Sequence, residues 1–241
     1  MLSALHKSPL GQIAAQLIVS PMTPSVLPRL QTAYTELFKF AEQVEFNADC
    51  SFHRLGMMYL GQILETTYSI VFLSNSGSAA AQLILARHLF ETIFRLHYLA
   101  LNPRLHGSNL QIDDYLEQKK SLRQLLDIKQ SKSITEKLKF VDSQIAKLKA
   151  AGAEQKNFFE IIKAVASEQN YLMYRRLSAS VHSQEIGLSH QFLESTSSGL
   201  KITLFKELST EQITILNTTI ADLCNTAHIA VSQIVQSEIP G

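Results

Sequence analysis

The chain has 241 residues, 46% of them hydrophobic, with only 9 Gly and 6 Pro, so it is long enough for a sizeable core and is neither disordered nor low in complexity. Two cysteines, Cys50 and Cys224, and an N-terminus without a continuous apolar leader argue against a disulfide framework and for a reducing compartment. No run reaches the roughly 18–20 apolar residues that span a bilayer, and the formal charge is only +1, so the expectation is a cytoplasmic protein with no membrane partner.

Residues 1–24 read as an N-terminal arm and residues 25–241 as a single helical domain. Ser25 as N-cap with Pro28 just inside opens a first helix through "LQTAYTELFKFAEQVEF", whose Leu30, Tyr34, Leu37, Phe38 and Ala41 follow three-four spacing. A second runs from about Cys50 to the turn at Ser76, Gly77 and Ser78. The third, "AAAQLILARHLFETIFRLHYLAL", is the most apolar and stops at Pro103, which restricts the residue before it; it is the expected central helix.

Residues 111–152 read as an αα-hairpin, with Ser133 and Glu136 as a capping box and Gly152 as a helix stop. This hairpin is basic: residues 119–156 hold ten Lys or Arg against four acids. A lysine-rich surface keeps a helical hairpin soluble, and it also tracks a phosphate backbone. One helix is expected from Asn157 through "FFEIIKAVASEQNYLMYRRLSASVH". Two short β-prone runs flanking Ser197, Ser198 and Gly199 suggest a small hairpin, and a last helix opens at Ser209 with Gln212 at capping-box spacing. The fold class expected is all-α, a bundle of about six or seven helices with one small β-hairpin before the last.

No Gly-rich phosphate loop, paired metal-binding cysteines or nucleophile elbow is present, so neither a cofactor nor a metal is called for. Two polar constellations remain on apolar helices. Arg87, Glu91 and Tyr98 lie within about 40° of one another on the third helix, with Arg95 beside them. They read either as an exposed ion ladder or as buried charges with a purpose. The second constellation is "YRRLSASVHS", where Arg175 and His182 stand at i and i+7 on one helical face while Arg176 points about 120° from His182. A histidine at a helix end is also a structural device, since the C-terminal dipole stabilises its cation.

The helix bearing "RHLFETIFRLHYL", then a helical hairpin, then "YRRLSASVHS" with an irregular segment and a last helix, resembles an uncharacterised family of bacterial helical proteins marked by Arg-x-x-x-Glu and Tyr-Arg-x-Leu-Ser-x-x-x-His. Its arginine and histidine spacing in turn resembles the HEPN superfamily of ribonucleases. That resemblance implies Arg175 or Arg176 with His182 as the active pair, Glu91 as a third member, and a symmetric homodimer that brings two histidines to one phosphate. It implies metal-independent attack by a ribose 2′-hydroxyl, with the histidine as base and the arginine stabilising charge on phosphate oxygens. The tyrosine that some toxin members carry after the histidine is replaced by Ser183 and Gln184.

The function expected is an RNA-cleaving or RNA-binding HEPN-like protein, a toxin or defence effector, with RNA contacts from Lys119, Lys120, Arg123 and Arg87. The alternative is a non-catalytic helical interaction module. No protein partner is named by the sequence.

Overall fold

In a computed structural model, residues 28–74, 79–181, 193–196, 199–202 and 209–237 are described. The N-terminal arm, the Ser25 cap, the turn at Ser76, Gly77 and Ser78, and His182 lie outside the described residues.

The described chain is all-helical but for one ladder. Its helices are α1 (Pro28–Gln43), α2 (Ser51–Ser74), α3 (Ala79–Leu101), α4 (Pro103–Ile128), α5 (Lys132–Ala150), α6 (Phe158–Val165), α7 (Glu168–Val181) and α8 (Thr210–Val235). Between α7 and α8, β1 (Leu193–Thr196) pairs antiparallel with β2 (Gly199–Ile202), Leu193 opposite Ile202 and Thr196 opposite Gly199.

Three local signals differ from expectation. Eight described helices exceed the expected six or seven, because the segment read as one helix from Asn157 breaks at Ala166, whose ψ of 139° is extended. Ser167 then starts a new helix, its hydroxyl accepting the Asn170 N–H at 3.2 Å. The basic hairpin begins at Pro103 and not at residue 111: the Asn102 side chain accepts the Leu105 N–H at 3.3 Å and Pro103 takes the first helical position, so the stop of α3 is also the start of α4. Ser133 does not cap α5. The helix opens after Ser131, which offers no side-chain bond, and Glu136 falls too late for a capping box.

Elsewhere the local chemistry holds. Ser209 and Gln212 form a reciprocal box at the start of α8, with bonds of 2.9 and 3.2 Å. Gly152, at φ 86°, ends α5 in a Schellman arrangement: its N–H reaches the Lys149 carbonyl and the Ala153 N–H reaches that of Leu148.

The described residues fall into two compact units. One draws on the described residues within 28–44, 64–89 and 177–228. Its core is built from Leu30, Tyr34 and Leu37 of α1 with Ile220, Ala221, Cys224 and Ala227 of α8, and Arg29 pairs with Asp222 at its surface. Burial pushes the Cys224 thiol up to about 11, so it behaves as a small apolar group; its sulfur lies 3.7 Å from the Thr67 hydroxyl.

The other unit draws on Glu45–Ile63, Phe90–Arg176 and the described residues within 229–237. Phe90, Ile93, Leu96 and Leu99 of α3 are wholly buried in it. Gly107 of α4 has Phe52 Cβ 3.2 Å from where its own Cβ would stand, a close approach in which a larger residue would have to displace Phe52 by a few tenths of an ångström. A smaller cluster of Ile112, Val141, Ile145 and Ala153 joins α4, α5 and the turn after α5.

Candidate functional site

On α3 the apolar residues take more than half of the circumference, and the polar stripe occupies what remains. Its members go to different partners. Glu91 is half-buried, and its Oε1 accepts the hydroxyl of Tyr174 on α7 at 3.0 Å. The Tyr174 ring, 8% exposed, lies edge-on to Phe94 at 6.2 Å and to Phe158 at 5.2 Å. Arg95, one turn beyond Glu91, lays its guanidinium 5.5 Å from the centre of the Phe158 ring. Tyr98 is buried and accepts from Asn109 Nδ2 at 3.0 Å, while Asn109 Oδ1 takes the Glu154 N–H at 2.8 Å. Tyr98 is therefore structural, the link between α3, α4 and the turn after α5.

Arg175 and Arg176 follow Tyr174 directly, and both are exposed. One step along a helix turns the side chain by about 100°, which takes Arg175 off the face that buries Tyr174 and Leu177. The contact to Glu91 thus comes from the tyrosine of the motif and not from Arg175 by an ion pair. Arg87 is half-buried on α3 and belongs to the other unit.

A second polar cluster was not anticipated. Asp113 and Asp114 of α4 and Tyr59 of α2 gather about Arg95, and Glu160 of α6 acts on Asp113. Desolvation pushes the Asp113 carboxyl up to about 6; Arg95 and the Lys156 backbone N–H oppose that shift, and Asp114 and Glu160 reinforce it. Its Oδ1 is buried without a hydrogen-bond partner. Desolvation likewise lifts the Tyr59 hydroxyl to about 12, against the pull of Arg95. Burial is the main cause of the Asp113 shift, and a carboxyl raised in this way is a candidate acid–base group. The signal in the sequence was the Asp-Asp pair of "QIDDYLEQ", which reads equally well as the outer face of a helix.

The basic hairpin presents a shallow groove of about 380 Å³ along α4, lined by Leu116, Lys119, Lys120, Arg123, Gln124 and Asp127. Its cations are not equivalent. Lys119 pairs with Asp142 of α5, the Lys120 ammonium is 3.9 Å from Glu117, and Arg123 is exposed. Among the described residues, no group of three or more His, Cys, Asp or Glu side chains is placed to hold a metal ion, and no helix is long and apolar enough to cross a membrane.

The described residues form eight helices and one short β ladder, with Glu91 bonded to Tyr174 and Arg95 beside Tyr59, Asp113 and Asp114. The chain belongs to a family of unknown function, DUF5677, whose model matches residues 53–200. That span takes in Glu91, Tyr174, Arg175, Arg176 and His182 together with the whole basic hairpin. No curated protein and no solved structure matches the chain.

Proposed function

We propose that the chain is an RNA-binding protein with a HEPN-like ribonuclease element at the end of α7, in which Arg175 faces the phosphate and His182 takes the 2′-hydroxyl proton. One observation carries this reading: Tyr174 is buried and bonded to Glu91, whereas Arg175 and Arg176 beside it are exposed. Cations that serve only packing lay their stems against the core; these two stand on the solvent side of a helix that runs unbroken to Val181. Glu91 then acts as a positioning residue, holding α7 through Tyr174, and not as a third catalytic group.

The chemistry is transfer of the phosphorus from the 5′-oxygen to the 2′-oxygen. His182 accepts the 2′-hydroxyl proton, the new P–O bond closes a 2′,3′-cyclic phosphate, and the leaving 5′-oxygen takes a proton from a second acid. In a symmetric homodimer that acid is the other His182. The exposed Arg123 and its lysine neighbours supply affinity without sequence preference.

A non-catalytic interaction module is the second reading. Its support is that the Glu91 oxygen is already engaged within the protein. Incubation of the purified chain with total RNA in EDTA, with analysis for cyclic phosphate ends, separates the two. Cleavage that vanishes in His182→Ala supports the ribonuclease; intact RNA in the parent protein supports the module.

A further inference from the structure

From Asp113 on α4 to Phe140 on α5 no residue is buried. Ile112 and Val141 are the last buried positions on the two helices, so about 24 Å of two-helix arm holds no buried residue, and only Tyr115, Leu116 and Leu122 at its root pack against the Ile112 cluster. Two helices side by side cover one flank of each and leave the rest in water. Leu122, Leu126, Ile134 and Leu138 are accordingly only half-buried, and Leu125, Ile128 and Phe140 are 50%, 83% and 58% exposed.

The exposed apolar groups are not scattered. Asp114, Gln118, Ser121, Leu125 and Ile128 succeed one another at three-four spacing along one side of α4. The first three line a cleft of about 590 Å³ that Lys137 and Phe140 of α5 close from the other side. Leu125 and Ile128 continue that row to the tip. Asp114 and Glu117 stand at the root of the cleft with Lys137 among its lining, and the hairpin tip as a whole is basic. Residues 119–140 hold seven cations against Asp127 and Glu136, a net +5, of which Lys119, Lys120 and Arg123 line the separate groove along α4.

We propose that this flank of the α4–α5 hairpin is a docking surface for an acidic amphipathic helix of a partner protein, its apolar stripe seated on Phe140, Leu125 and Ile128 and its carboxylates at the tip against Lys129, Lys132 and Lys137. Charge complementarity selects this occupant. A second copy of the tip brings a further +5 against the first, which opposes self-pairing. A nucleic acid satisfies the cations and leaves aliphatic Leu125 and Ile128 without the stacking that aromatic side chains provide. An acidic helix of about 16 residues spans the flank and meets both requirements. The inference does not depend on the ribonuclease reading.

The test uses the full chain and three labelled helical peptides of about 16 residues: one with a leucine stripe and glutamates elsewhere, one with lysines for the glutamates, and one with serines for the leucines. Fluorescence anisotropy is expected to show binding of the first alone, weakening as salt rises. The double variant Leu125→Ser, Ile128→Ser is expected to lose about tenfold or more in affinity, with an unchanged circular dichroism spectrum because both positions are exposed. Equal binding of the lysine peptide, no binding of the glutamate peptide, or full binding by the double variant overturns the proposal. So does a dimer in sedimentation that the double variant dissolves, which assigns the surface to a second copy.

Discussion

The Tyr174 hydroxyl reaches Glu91 Oε1 at 3.0 Å across 83 residues of sequence, and this bond ties the middle of α7 to the polar side of α3. Tyr174→Phe keeps the ring against Phe94 and Phe158 and removes the donor to a charged acceptor, so it is expected to cost about 1–2 kcal/mol in urea unfolding. A double-mutant cycle with Glu91→Gln is expected to return a coupling of about 1 kcal/mol. Additive single effects would mean that the two groups do not stabilise one another.

Asp113 makes the fold pH-dependent in an unusual direction for a carboxylate. Its folded value near 6 lies above the ordinary 3.8, so the native state binds the proton more tightly than the unfolded chain does. Its contribution therefore improves as pH falls from about 7 toward 4 and is lost as pH rises through 6. Asp113→Asn is expected to stabilise the protein at pH 7.5 by on the order of 1 kcal/mol and to have little effect at pH 4, as read from the difference in melting temperature between variant and parent at each pH. A pH-independent difference would count against the shift.

Gly152 stands at φ 86° with nothing within 4 Å of where a Cβ would be. Gly152→Ala therefore meets a backbone cost and no steric one, expected at about 1 kcal/mol in chemical denaturation. Gly152→Asn is expected to cost less, since asparagine tolerates this region better. The opposite order would point to a packing role that the open surroundings do not suggest.

Within the ribonuclease reading, Arg175→Ala is expected to abolish cleavage with less than about 0.5 kcal/mol lost in stability, because the residue is exposed. Arg176→Ala is expected to retain most activity, since Arg175 stands seven residues before His182, the spacing that a continuous helix would put on one face, and Arg176 only six. Rates on a fluorogenic oligoribonucleotide and thermal unfolding, measured together, separate catalysis from folding. Equal loss in both variants would remove the face argument.

Arg123→Glu reverses an exposed charge beside Lys119 and Lys120. If RNA lies along this groove, the variant binds homopolymer RNA more weakly, and the slope of log affinity against log salt falls by about 1–2. An unchanged slope would assign the basic groove to solubility alone.

Much of the helix layout was written in nearest-neighbour chemistry. The three-four spacing of Leu30, Tyr34 and Leu37, the run Ala79–Leu101, the box at Ser209 and Gln212, and the stop at Gly152 each depend on groups within about one helical turn, so the chain alone determined them. Where two local signals competed, the sequence did not decide: Ser131 and not Ser133 opens α5, and Ser167 interrupts a run that periodicity alone would carry through. The partners of the polar stripe were not legible at all. Glu91 with Tyr174, and Arg95 with Tyr59, Asp113 and Phe158, meet only because separate helices are brought together by burial of their apolar sides. That burial sets both the geometry and the local dielectric. The proton affinity of Asp113 and the burial of Tyr174 beside two exposed arginines are therefore properties of the packed helices, and no spacing within one helix contains them.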